Sequence, residues 1–364
     1  MADEITNMPG TQGLDIKFRS FSGYLGAPGA GGPTSKQMHY YFVESLSDPL
    51  QTPVALWTNG GPGCSGLIGA FTEQGPFRPN ADKSLSLNPY AWNKLSSMLF
   101  IESPVGVGYS HSDEDADYSA NDASTAVLNY DLVQAFLARF PDLRANKFYI
   151  SSESYGGHYM PTLAKEIVDQ NAAGTNPKIN FMGFAVGNPY TTPYSGSPAM
   201  IDTLWGHQLV PLPLMQQYKQ HDCQNSTFSD PKAAVQCFGI ENDIMNSMGE
   251  LNPYALDYPV CLGSSQASRQ ARKGRAQRMW LLHSFLSQRQ SSNPLADKHR
   301  LLAAAMLQQE SYQPCEDDYT TAYLNDPDVK AALHVKSSIK WSECSTSTRY
   351  NMSDSDNSMV RDTW

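Results

Sequence analysis

The segment from Phe148 to Gln170 constrains this chain most tightly: a short β-type run ends in Ser151-Ser152-Glu153-Ser154-Tyr155-Gly156-Gly157 and passes straight into a helical pattern. A backbone that turns from strand to helix in so few residues must bend sharply, and Gly156, two residues after Ser154, supplies the small residue the bend needs. Such a bend holds the Ser154 hydroxyl proud of the sheet, open to a base, so the stretch reads as a nucleophile elbow. The usual G-x-S-x-G form also has a glycine two residues before the serine; Ser152 stands there in this chain. A strand-to-helix turn without catalysis would use the same small residues, so the elbow alone leaves both readings open.

Around the elbow, strand-like and helix-like runs alternate. Val54 to Trp57, Met98 to Ile101, Phe148 to Ile150 and Phe181 to Val186 are short apolar runs separated by helically periodic stretches, which is the pattern of a parallel α/β sheet. Asp122 to Phe140 repeats Leu128, Leu132 and Phe136 at helical spacing and is stopped by Pro141, so it reads as a crossover helix. From His158 to Gln170 a second helix carries Tyr159, Leu163 and Ile167 four apart, with Pro161 placed in its first turn.

Composition excludes several classes. With 364 residues and 40% hydrophobic content the chain can bury one large core, with or without an inserted subdomain. A net charge of −10 argues against nucleic acid and anionic lipid as partners, since both require summed cationic attraction. No apolar run approaches the roughly 18 residues of a membrane span. Met1 to Thr6 has neither a basic nor an apolar region, so no secretory signal is read there.

A second motif changes the weight of the elbow. Trp57-Thr58-Asn59-Gly60-Gly61-Pro62-Gly63-Cys64-Ser65 follows an expected strand, and its glycines can present backbone N–H groups toward the serine as an oxyanion hole. Between the two motifs stands Ile101-Glu102-Ser103-Pro104-Val105-Gly106-Val107-Gly108-Tyr109-Ser110. These three stretches, with Gly187-Asn188-Pro189 and Trp341-Ser342-Glu343-Cys344, closely resemble the serine carboxypeptidase family, and the likeness covers nearly the whole chain. The resemblance implies an α/β-hydrolase fold: a mostly parallel sheet with an inserted helical cap.

It also implies roles. The N–H groups of Gly61 and Tyr155 would hold the oxyanion, Ser154 would be acylated, and Asn59 would hold the substrate's terminal carboxylate beside a carboxyl pair, Glu73 and Glu153. Such a pair is physically sensible. Like charges about 4 Å apart repel by roughly 4 kcal/mol at an effective dielectric near 20, so one proton stays and can be donated to a substrate carboxylate. An acidic working pH follows. The family's disulfides carry over as Cys64 with Cys344, Cys223 with Cys237 and Cys261 with Cys315; six cysteines alone allow fifteen pairings. No cofactor and no metal are implied, and the partners are peptide or protein C-termini, with a homodimer left open.

The absence of C-x-x-C pairs and the even cysteine count favour disulfides over zinc, hence an oxidising compartment. Sequons at Asn225 and Asn351 agree with this, and the family resemblance points to a secreted, vacuolar or lysosomal protein. Residues 1–187 read as the first part of the core, 188–313 as the inserted cap, and 314–364 as a return to the core. Within the cap, residues 266–278 form an Arg-rich loop with Arg269, Arg272, Lys273, Arg275 and Arg278, either a solvated charge run or a processing site.

In α/β-hydrolases the triad runs serine, acid, histidine along the chain. No histidine follows His334, which sits in a helix-like stretch and reads as structural, while His158 in the elbow helix belongs to the family's motif as a packing or pocket residue. The expectation is therefore a chain that stops before its catalytic Asp and His and is nearly inert alone. Two other readings remain beside the carboxypeptidase: an acyltransferase of the same family, whose members tend to alter the carboxylate-binding residues retained here, and a non-catalytic interaction protein.

Overall fold

The computed structural model describes residues 2–192, 196–226, 230–249 and 316–352, with positions 251, 256, 354 and 359. They fall into two units, Met1–Pro189 with Glu316–Thr348, and Tyr190–Cys315 with Arg349–Trp364.

The first unit opens with an antiparallel hairpin, β1 (Ser20–Gly29) and β2 (Gly32–Val43), whose register pairs Phe21 with Phe42 and Leu25 with Met38. The runs read from the sequence become β3 (Val54–Thr58), β4 (Ser97–Ile101), β5 (Phe148–Glu153) and β6 (Phe181–Gly187). All six join one sheet in the order β1-β2-β4-β3-β5-β6. The last three pairings are parallel and the first two antiparallel. The hairpin was not read from the sequence because its apolar residues are interleaved with glycines and polar residues rather than gathered into a run.

Strand alternation sends successive side chains of β2 to opposite faces. Tyr40 and Phe42 pack with Phe136 and Phe140, while Tyr41 stacks on Phe71 and Phe100 at 5.7 and 6.1 Å. The first cluster seats helix α1 (Asp122–Arg139). Its start is fixed by a capping box in which Asn121 accepts from Ser124 N and the Ser124 hydroxyl accepts from Asn121 N. Its end falls at Phe140, immediately before Pro141, where no further helical bond can form.

Helix α2 (Gly156–Ala173) begins two residues earlier than its periodicity suggests, because it runs directly out of the elbow; Pro161 therefore lies beyond the first turn. Gly174, at φ +68°, closes it in the left-handed conformation. Both helices bury their apolar faces, Leu132, Val133 and Phe136 on α1 and Tyr159, Leu163 and Ile167 on α2.

Among the described residues of the second unit, α3 (Gly196–Gly206), α4 (Leu212–Gln220) and α5 (Pro231–Ser247) enclose Ile201, Leu204, Met215, Ile240 and Ile244. The Cys223–Cys237 disulfide expected from the family resemblance is formed here. Cys261, Cys315 and the Arg-rich stretch 266–278 lie outside the described residues. Asn225 and Asn351 are both exposed. No helix among the described residues is long and apolar enough to cross a membrane.

Glu241 on α5 is 8% exposed within this apolar core, and burial pushes its carboxyl up to about 8. A carboxyl raised on folding favours the folded state in acid; its contribution fades as pH rises from the unfolded value near 4.5 through the folded one. We expect thermal unfolding of the full chain to show the second unit losing a few kcal/mol of stability between about pH 5 and 8, and Glu241→Gln to flatten that loss. An identical pH slope in the variant would exclude Glu241 as its source.

Candidate active site

Because β3 and β5 pair in parallel, with Trp57 opposite Ser151 and Thr58 opposite Ser152, their carboxyl ends deliver two loops to one place. A Cβ built on Gly60 would stand 2.5 Å from Tyr155 N and 3.1 Å from Ser154 Cβ, so the glycine loop lies in contact with the elbow. Any side chain at position 60 would push the two apart.

The elbow itself is strained. Ser154 sits at φ +54° and its N–H donates to the Gly187 carbonyl at 3.0 Å. A non-glycine residue in this region costs on the order of 1–2 kcal/mol, and the sheet and α2 hold it there. The side chain is exposed. Directly behind it, a Cβ on Gly156 would meet Ser152 Oγ at 2.1 Å, which shows why small residues flank the serine.

The glycine loop is fixed from three sides. Gly63 N donates to the Tyr159 hydroxyl on α2 at 3.0 Å. Ser65 N donates to the Glu343 carbonyl at 2.7 Å, and Ser345 N to the Gly63 carbonyl at 2.8 Å. Between these two bonds the Cys64–Cys344 disulfide is formed, as the family resemblance implied. Gly61 has φ +114°, a conformation open to glycine, and is followed by a cis bond to Pro62.

Beyond the loop, Asn59 is buried and its amide orientation is dictated by its surroundings. Its Oδ1 accepts from Trp57 Nε1 at 2.8 Å and from Gly69 N at 3.1 Å, and both of these groups only donate. The NH₂ must then face the other way, where Nδ2 donates to Glu153 Oε1 at 2.8 Å and Glu73 Oε1 at 3.4 Å. The expected trio thus shares one nitrogen. Burial holds the Glu153 carboxyl above the usual carboxylate range, opposed by the bond from Asn59. Glu73 is set in place through its backbone: its carbonyl accepts from Arg78 Nη2 and from Asn88 Nδ2.

The arrangement joins an exposed serine, a turn that brings backbone amides beside it, and a buried amide with two carboxyls. Ser154, Tyr155 and Gly60 come together at one end of the sheet, with Gly61 next in the chain, while Asn59 and Glu153, each one residue away, connect them to Glu73. Tyr155 is further braced by its hydroxyl, which donates to Asp122 Oδ1 at 2.9 Å, and Asp122 Oδ2 is 2.9 Å from His158 Nδ1. This brace was missed in sequence; the acidic residue opening α1 gave no sign of pairing with a ring 36 residues later.

Comparisons with known proteins point to one family. The profile of a family described as serine carboxypeptidase matches residues 9–363. Serine carboxypeptidase-like 28 of Arabidopsis thaliana is 33% identical over 365 residues, covering 99% of this chain and 70% of the relative. Serine carboxypeptidase 24 of the same plant is 34% identical, covering 98% and 72%. Among solved structures, Kex1(delta)p, a prohormone-processing carboxypeptidase from Saccharomyces cerevisiae, superposes with a TM-score of 0.70 at 20% identity, over 95% of this chain and 71% of the other. That likeness bears on the fold, which is the α/β-hydrolase fold.

Proposed function

The chain belongs to the serine carboxypeptidase family, and from that membership we propose that Ser154 is the nucleophile of a carboxypeptidase that releases C-terminal amino acids from peptides. The observation that carries the reading is the amide of Asn59, turned by two donors toward Glu153 and Glu73, one residue from the loop that touches the elbow.

In this reading the substrate's terminal carboxylate takes over from Glu73 the longer of the two Asn59 Nδ2 bonds and accepts from the proton kept by the carboxyl pair. Ser154 Oγ attacks the last peptide carbonyl, and the developing oxyanion accepts from the N–H groups of Gly61 and Tyr155, each worth roughly 10²- to 10³-fold in rate. The serine proton passes by way of a base to the leaving amine, and water then cleaves the acyl-enzyme. Retention of Asn59, Glu73 and Glu153 supports hydrolysis of peptides over acyl transfer. Disulfides and a carboxyl that keeps its proton in mild acid support an oxidising, acidic compartment.

The described imidazoles near the sheet are engaged elsewhere: His39 with Ser22 and Glu102, His158 with Asp122, His334 with the Ser22 carbonyl. His283 and His299 lie outside the described residues. In this reading the described residues would supply recognition, nucleophile and oxyanion donors, and a serine served by no base and acid would be expected to cleave blocked dipeptides about 10⁶-fold more slowly than a complete triad.

Recognition can be measured apart from turnover. Since Glu153 is held protonated above the usual range, affinity for a blocked dipeptide with a free carboxylate should be highest in acid. It should then fall by up to about tenfold per pH unit once the pair loses its proton. Titration calorimetry from pH 4.5 to 7.5 checks this. Glu153→Gln, which keeps a donor at all pH values, is expected to flatten the profile; an unchanged profile removes the pair from the account.

A further inference from the structure

Glu102 is the first residue beyond β4 and, although charged by type, is 0% exposed. Its carboxyl gathers donors from four separate parts of the first unit. Oε1 accepts from Trp341 Nε1 at 2.8 Å and from the Ser65 hydroxyl. Oε2 accepts from Tyr109 N at 2.8 Å and lies 2.8 Å from His39 Nδ1. The chain closes tightly over it, for a Cβ on Gly108 would overlap Oε1 at 1.7 Å.

The far side of His39 settles where the protons are. Its Nε2 is 2.8 Å from Ser22 Oγ, and Ser22 Oγ is 2.7 Å from the Leu333 carbonyl. A carbonyl oxygen only accepts, so the Ser22 proton points at Leu333. Nε2 must then carry a proton and donate it to Ser22. At the other end Tyr109 N and Trp341 Nε1 only donate, so one further proton lies between Nδ1 and Oε2. Glu102 and His39 together hold two protons and no net charge, a buried pair in which every polar atom is used. Unlike an isolated buried carboxylate, such a pair is retained at modest cost.

What the pair holds is the glycine loop. Ser65 directly follows Cys64, its hydroxyl donates to Glu102 and accepts from Leu67 N at 3.1 Å, and its N–H is bonded to the Glu343 carbonyl. Trp341, which donates to the same carboxyl, lies three residues before Cys344. We propose that Glu102, charge-matched by His39, is the positioning residue for the oxyanion loop: through Ser65 and Trp341 it grips both sides of the Cys64–Cys344 link and so keeps the Gly61 amide aimed at Ser154. The proposal rests on the reading of Gly61 as an oxyanion donor.

Glu102→Gln is the obvious variant, but its NH₂ would face either Tyr109 N–H or Trp341 N–H, donor against donor, and the chain could fail to fold. Ser65→Ala is milder: it removes one buried hydroxyl, with its bonds to Glu102, Leu67 N and Trp341 Nε1, and leaves the carboxyl its bonds from Trp341 and Tyr109. The test compares wild type and Ser65→Ala, both as the full chain, by amide hydrogen exchange over residues 60–66. It also measures the rate at which a peptidyl fluorophosphonate with a free terminal carboxylate becomes attached to Ser154, and the affinity for the blocked dipeptide. We expect exchange of the loop amides to rise about 10- to 100-fold while amides of β5 and α1 are unmoved. Capture should slow about 10- to 100-fold with dipeptide affinity within about twofold.

Unchanged loop exchange overturns the proposal whatever the activity. Raised exchange with unchanged capture overturns the positioning role. Should wild type show no capture at Ser154, it is the functional reading that fails, and raised loop exchange would still support Glu102 as the anchor of this loop. A ¹⁵N spectrum of histidine-labelled chain adds an independent check, since an unprotonated His39 Nε2 contradicts the proton assignment.

Discussion

Ser154→Ala is expected to abolish covalent attachment of a peptidyl fluorophosphonate to this chain, read as the loss of the mass increment on the peptide containing residue 154. The reason is geometric. The exposed hydroxyl at φ +54° stands beside the loop whose Gly60 lies against Tyr155 N, so phosphonyl oxygen can enter the same pair of amides proposed for the oxyanion. Oxyanion donors and binding alone sustain roughly 10³- to 10⁴-fold over water, enough to direct the reagent to this hydroxyl without a complete triad. Labelling of a different serine at the same rate, or undiminished labelling of the variant, would remove Ser154 from its role.

Opening the Cys64–Cys344 link has the next largest expected effect. It spans 280 residues, and a cross-link over so long a loop restricts the unfolded chain by about 5.6 kcal/mol on the loop-entropy relation. The double variant Cys64→Ala, Cys344→Ala keeps the flanking bonds from Ser65 N to Glu343 and from Ser345 N to Gly63. We therefore expect a loss of about 3–5 kcal/mol and a Tm lower by roughly 10 °C, rather than failure to fold. Removing Cys223–Cys237, which closes 14 residues, should cost less and leave phosphonate capture at Ser154 untouched. A Tm within about 2 °C of wild type for the first variant would contradict the estimate.

What the sequence made legible follows from how local each signal is. The runs that became β3 to β6 are short, apolar and bounded by turn residues, and the elbow is a contiguous motif, so both could be read from neighbours in the chain. The β1–β2 hairpin was missed because its pattern is broken by Gly23, Gly26 and Gly29 and by polar residues before Met38. Glu73 and Glu153 lie 14 and 94 residues from Asn59, and no periodicity links them; the family resemblance brought them together, and the Trp57 and Gly69 donors then explain the orientation of the amide.

The Ser22–His39–Glu102–Ser65–Trp341 network was beyond local reading altogether, since its bonds reach as far as the 311 positions between Ser22 and the Leu333 carbonyl. One sign was present: a glutamate placed directly after the wholly apolar Met98-Leu99-Phe100-Ile101 run must either be solvated at a strand end or be buried with donors around it. Its burial decides for the second.

The proposed function stands on recognition of a free C-terminal carboxylate beside Ser154, and one calorimetric comparison decides whether that recognition exists. Titrating the chain near pH 5 with a blocked dipeptide and with the same dipeptide amidated at its C-terminus, the account predicts the acid to bind at least about 30-fold more tightly, because a charge-assisted contact to Asn59 and the protonated carboxyl pair is lost in the amide. Equal affinity for the two ligands would contradict it.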